Sequence, residues 1–210
     1  MKHIWMLTSC SMLLAGSLVA QDVNHFTFNV GAGWTEPIQA TGRRTDRGWN
    51  ASAGVGANFN SALGAMFTFD YSDLGINRGT LNTLGFPNGS MRMWSFTLDP
   101  VVHLTQHHAV DFYLTGGGGL YHRTIEFTQP TIGTFNAFDP YFGYFYRVAV
   151  PVNQVIQSTS IYKPGWNGGA GLAFGGFRNA KFYVEAKYHR MIISNDRQSE
   201  YIPVTFGVRW

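Results

Sequence analysis

The nearest thing to a catalytic pair in this chain is His189 followed by Ser194 and Asn195, an imidazole base and a hydroxyl nucleophile on one stretch of sequence. Acyl-transfer chemistry needs base and nucleophile within hydrogen-bond reach. Their separation of five residues puts them on opposite faces of any continuing strand, because strand side chains alternate. No catalysis is expected from that arrangement. His107 and His108 sit side by side in a tight turn and read as solvent-facing rather than as a metal pair. The single cysteine, Cys10, lies in the N-terminal segment, so neither a disulfide framework nor a thiolate site is available beyond it. No cofactor is implied.

The remaining chemistry is ionic. Asp70, Asp99, Asp111, Arg123, Glu185, Lys187 and Arg209 all fall on the polar side of segments that alternate polar and apolar residues. Glu185 and Lys187 are two apart and share a face, and Arg209 on the last segment is expected beside Glu185. Two readings follow: an internal network in which buried charges neutralise one another, or a gate on a narrow ion path. Lys187→Ala is expected to loosen the fold or to alter conductance modestly.

The elements that carry these residues must be strands. Charged residues make up 13% of the chain, aromatics 16%, and glycine occurs 25 times, which is too apolar for a disordered chain. Mean hydropathy is nevertheless −0.08. No apolar run beyond the N-terminus approaches the roughly 20 residues a spanning helix needs. A net charge of +3, with no sustained basic stripe, gives no support for a nucleic-acid partner.

Residues 1–20 have the order of a secretory signal: Lys2 and His3, an apolar core, then small residues up to a cut at Ala20. Leu7-Thr8-Ser9-Cys10 has the look of a lipoprotein box, but too little apolar sequence precedes it. Residues 21–210 then form one domain. From Asn24 onward the chain reads as about eight segments of every-second-residue alternation. They run from HFTFNVGAGW, through GWNASAGVGANF, LGAMFTFDY, MWSFTLDPVV, VDFYLTGGGGLY and GWNGGAGLAF, to FYVEAKYH and YIPVTFGVRW. Short connections alternate with long ones (36–46, 72–90, 122–163 and 194–200), as at the two ends of a bacterial barrel. A ten-strand variant stays open, with Tyr144–Val152 and Val155–Tyr162 as one more hairpin.

Alternation does not say which face looks outward, and a soluble carrier barrel would share the period. The polar faces are built from Asn50, Ser52, Gly54, Gly56 and Asn58 and their like, whereas a water-exposed exterior would carry many Lys and Glu. Trp34, Trp49, Trp94 and Trp166, with Tyr71 and Tyr188, fall beside the long loops, and Trp210 falls at the opposite end. Such rings favour a membrane–water boundary. The chain also ends on an aromatic of its apolar face. With the closing pair FYVEAKYHR and YIPVTFGVRW, it resembles the OmpA/OmpX-like small outer-membrane β-barrel families of Gram-negative-type bacteria along nearly its whole length after the signal. That resemblance implies an all-β fold, a closed antiparallel transmembrane β-barrel. It also implies outer-membrane lipid as surroundings and the barrel-assembly machinery as a partner during insertion. The tethering role of full-length OmpA is not expected, because residues 21–210 read as barrel alone.

Function is then expected in the loops. The longest, 122–163, holds Phe135, Phe138, Tyr141, Phe142, Tyr144, Phe145 and Tyr146. These rings suit either a protein-binding surface or an extension of two strands above the bilayer. Arg43, Arg44 and Arg47 are expected to pair with lipopolysaccharide phosphates, whose geometry arginine matches. Three functional readings remain: a non-enzymatic structural or adhesive surface barrel, a narrow channel for small solutes or ions, and a lipid A-modifying enzyme of the outer leaflet.

Overall fold

In the computed structural model of the protein, residues 26–105, 110–177, 180–193 and 198–210 are described. The proposed signal segment, His107, His108, Ser194 and Asn195 lie outside them. Eight antiparallel strands close into a barrel in simple chain order: β1 (Phe26–Pro37), β2 (Gly48–Asn58), β3 (Leu63–Gly75), β4 (Asn88–His103), β5 (Val110–Asp139), β6 (Tyr144–Phe177), β7 (Ala180–Met191) and β8 (Ser199–Arg209). Two short helices, α1 (Gln39–Gly42) and α2 (Arg78–Leu84), lie in the first two long connections.

Closure runs through the β1–β8 ladder, from Asn29 opposite Arg209 to Pro37 opposite Tyr201. Reciprocal bonds between Phe28 and Trp210 (2.7 and 2.9 Å) extend it to the last residue. A closed ring leaves no sheet edge, which hydrocarbon would penalise because it offers backbone groups no partner. Among the described residues no helix is long and apolar enough to cross a membrane, so the strands must.

The ten-strand variant is overturned. Tyr144–Val152 and Val155–Tyr162 belong to the single strand β6, which pairs with β5 from Phe174 opposite Val110 up to Tyr144 opposite Asp139, with a register shift at Phe127/Thr128. The stretch 122–163 is thus one long hairpin. Its tip is an Asx turn: the Asp139 carboxylate accepts from the backbone N–H groups of Tyr141 (2.9 Å) and Phe142 (3.2 Å). Gly143 supplies the left-handed residue, at φ 70°, that returns the chain into β6.

The barrel turns its greasy face outward. Phe67, Phe112 and Phe206 are exposed, together with Phe28, Val30, Leu98 and Leu114. Inside, the polar positions of each strand meet, but the interior is not built from small polar residues alone. Tyr113, Tyr121, Tyr183 and Tyr201 are fully buried. Met66, Val101, Tyr113, Ala173 and Tyr183 form an apolar plug towards one end, and Leu74, Met91, Met93 and Tyr201 form another towards the end with the long loops. Glycines make room for the rings. A Cβ on Gly165 would lie 2.6 Å from the Tyr121 ring, and one on Gly207 would lie 2.6 Å from Tyr183.

Candidate functional site

Between the two plugs lies the ionic layer, where strand alternation turns residues of one parity inward. Lys187 on β7 places its Nζ 3.3 Å from Asp99 Oδ2 on β4 and 3.2 Å from Glu185 Oε1 on its own strand. All of these side chains are buried. Asp99 also accepts from Thr97 Oγ1 (2.9 Å) and Asn167 Nδ2 (2.8 Å). Arg209 Nη2 stands 3.9 Å from Glu185 Oε2. Its guanidinium also lies over the Tyr113 ring, at 4.3 Å from the centroid, a cation–π contact. The β7–β8 register sets Glu185 opposite Thr205 and Arg209 opposite Lys181, so arginine reaches glutamate by side-chain length rather than by cross-strand pairing. Asp70 is buried on β3 and faces the same interior.

The other two charges of the set stand apart. Asp111 pairs with His103 Nδ1 at 2.6 Å, near the end where Trp210 lies. Arg123 Nη1 donates to Ser199 Oγ at 2.7 Å, towards the long loops. His189 is fully buried, bonded to the Tyr121 hydroxyl (3.1 Å) and stacked on Tyr201. It is packing material among tyrosines. Among the described residues no group of three or more His, Cys, Asp or Glu is placed to hold a metal ion.

On the outer surface the girdle candidates form a belt at one level. Trp34 is opposite Trp49, the Trp49 and Tyr71 rings are 5.2 Å apart, and Tyr71 is opposite Trp94. The Trp94 ring stacks on His122 at 4.8 Å, His122 meets Tyr162 at 4.2 Å, and Trp166 meets Tyr188 at 5.2 Å. Sequence reasoning misses His122 and Tyr162 because they sit inside what reads as a loop. Their parity with Leu120 and Trp166 is the available signal. Trp210 stacks with Phe28 at the far end.

Above the belt the outer wall becomes ionic. Arg92 bonds Glu126, Arg190 Nε lies 3.5 Å from Glu200 Oε1, and the Tyr188 hydroxyl donates to the same oxygen at 2.9 Å. Asp73, beyond Tyr71, has its carboxyl held above the ordinary carboxylate range, chiefly by burial, with Arg92 opposing and Glu126 adding to the shift. The three loop arginines diverge. Arg47 Nε pairs with Glu36 Oε2 at 2.6 Å on the outer wall. Arg43 and Arg44 are exposed beside α2, and Arg44 also borders a cavity at the barrel mouth.

The profile of the outer membrane protein beta-barrel domain family matches residues 7–209. The chain belongs to that family. Its place is therefore the outer membrane, and the belt and plugs are features of an outer-membrane barrel. Solved structures share the fold at low identity. Neisserial surface protein A superposes with a TM-score of 0.57 at 13% identity, covering 89% of this chain and 96% of that one. A major outer membrane protein from Thermus thermophilus superposes with a TM-score of 0.58 at 12% identity, covering 88% of this chain and 97% of its own. No curated protein matches the chain in sequence.

Proposed function

We propose that this outer-membrane barrel is a non-enzymatic surface protein whose work is done by the β5–β6 hairpin, an adhesive element raised on a plugged barrel. The supporting observation is the unequal height of the wall. β4 ends its pairing with β5 at Thr128, and β7 ends its pairing with β6 at Gly165. From Thr128 to Asp139 the ribbon therefore stands alone, a reach of roughly 35 Å at the rise of an antiparallel strand. Its tip carries Tyr141 (87% exposed), Phe142 (69%) and Phe145 (69%). Phe138 and Phe145 pack together at 5.0 Å, so the rings brace one another and still present apolar surface to a protein partner.

The filled interior favours this reading over a solute channel. Two apolar plugs and a buried ion network occupy the space that a permeant ion would need. Catalysis finds no support from His189, which is enclosed by tyrosines and faces inward.

The remaining assignments complete the proposal. Residues 1–20 are a cleaved export signal, the barrel-assembly machinery inserts the chain, and the aromatic belt marks the outer membrane–water boundary. Arg43 and Arg44 meet lipopolysaccharide phosphates, with Arg47 shared between phosphate and Glu36.

Cells displaying the protein should adhere to immobilised extracellular-matrix protein. Replacing residues 130–152 by a short turn should abolish adhesion while heat-modifiable gel migration persists. Undiminished adhesion of the shortened protein refutes the hairpin's role. Stable discrete currents from the wild type in planar bilayers would favour a channel instead.

A further inference from the structure

The barrel mouth contains a cavity of about 160 Å³ that neither the hairpin nor the ion network uses. The first two long connections build its roof. Thr45 bridges to Ile76, Asn77 donates its side-chain amide to the Arg43 carbonyl at 2.8 Å, and the Asn77 side-chain carbonyl oxygen caps α2 through Thr80 N–H at 2.8 Å. The backbone N–H of Glu200 donates to Thr41 Oγ1 at 3.0 Å, fastening α1 to β8. These bonds hold both helical turns over the mouth, and the space beneath them is walled by inward-facing residues of β4 and β5.

The lining is largely apolar: Ile76, Leu84, Met91, Ile125 and Phe127 are its main surfaces. Below it, Leu74, Met93 and Tyr201 pack with Met91 to close the floor. The cavity is a blind pocket opening outward. An engineered apolar cavity of about 150 Å³ accepts benzene, so the body it fits is of about six carbons. The rim is cationic. Arg44 borders the pocket and is exposed, and among the described residues it makes no ion pair. The described lining contains no carboxylate, and Arg123 in the wall is held by Ser199 at 2.7 Å.

We infer that the mouth pocket binds a small amphipathic anion from the external water, with its six-carbon-sized apolar body under α2 and its acidic head at Arg44. Membrane acyl chains are not the source, because the walls are inner faces of the barrel and the outer faces alone touch lipid. This site does not depend on the hairpin's proposed adhesive role; lipopolysaccharide phosphate, the proposed partner of Arg44, competes for the same guanidinium and is absent from phospholipid nanodiscs.

Met91 is a reporter inside the pocket, and Met66, buried in the plug at the other end, is an internal control. The exported protein, methyl-labelled at methionine and held in phospholipid nanodiscs, is titrated with hexanoate, hexanol and acetate. Hexanoate should shift the Met91 methyl resonance saturably, up to about 20 mM for a fragment of this size, with Met66 unmoved and acetate inert. Arg44→Gln should weaken hexanoate about three- to fivefold, the scale of one exposed ion pair, and leave hexanol unchanged. Leu84→Trp, on the half-exposed rim of α2 and outside the barrel wall, should block both alcohol and acid. A still Met91 resonance refutes the pocket. Equal hexanoate affinity in Arg44→Gln refutes the recognition of the head. Parallel shifts at Met66 would mean partition into the bilayer and would also overturn the inference.

Discussion

Lys187→Met removes the cation at the centre of the interior and leaves its carboxylate partners in place. The ammonium lies 3.3 Å from Asp99 and 3.2 Å from Glu185, and both are enclosed. Deleting one member of a buried pair costs about 3–5 kcal/mol, because the other charge remains without solvent. Two features place the cost at the lower end. Asp99 retains Thr97 and Asn167 at 2.9 and 2.8 Å, and Glu185 retains Arg209 at 3.9 Å. The expected loss is therefore about 3 kcal/mol, or about 1.5 M in urea midpoint at a slope of roughly 2 kcal/mol per molar. Reversible urea unfolding in phospholipid bilayers measures it, with heat-modifiable migration reporting the folded fraction. Asp99→Asn in the same background should recover part of the loss, with a coupling of about 1 kcal/mol or more. A midpoint shift below about 0.3 M, or strict additivity of the two substitutions, refutes the buried network as a source of stability.

The other predictions concern space and exposure. Gly171→Ala sets a Cβ against the buried Tyr113 ring, and overpacking of this kind should cost about 1–3 kcal/mol. The urea midpoint should fall, and Tyr113→Leu should restore it. Truncating both plugs with Tyr113→Ala, Tyr183→Ala and Tyr201→Ala together should open the interior and raise planar-bilayer current above the wild-type baseline; an unchanged baseline would place the barrier elsewhere. Arg47→Ala breaks a pair that is well exposed on both sides, so the midpoint should move by the equivalent of about 1 kcal/mol at most.

Much of the architecture is legible from period and parity. Glu185 and Lys187 share the interior because they are two apart, and Asp70 and Asp99 join them by the same rule. The outward-facing tryptophans of β1, β2, β4 and β6 form a belt because antiparallel register sets Trp34 opposite Trp49 and Tyr71 opposite Trp94. His122 and Tyr162, which complete that belt, are hidden when 122–163 is read as a loop. Beyond Thr128 the hairpin has no further neighbouring strand, so its alternation there carries no burial contrast to mark it as strand. The buried tyrosines obey parity too, but a rule that assigns large rings to lipid passes over Tyr113 and Tyr183, beside glycines that leave them room.

Local pattern therefore suffices for strand count within one hairpin and for which side of each strand faces lipid, because these depend on neighbours a few residues away and on the solvent each face needs. It cannot say that Lys187 meets Asp99, that Arg209 spans to Glu185 beside a tyrosine ring, or that two loops roof a pocket. Those contacts join residues from strands separated by much of the chain. They exist only once ring closure has set the diameter and register of the barrel, and with them which side chains must share its interior.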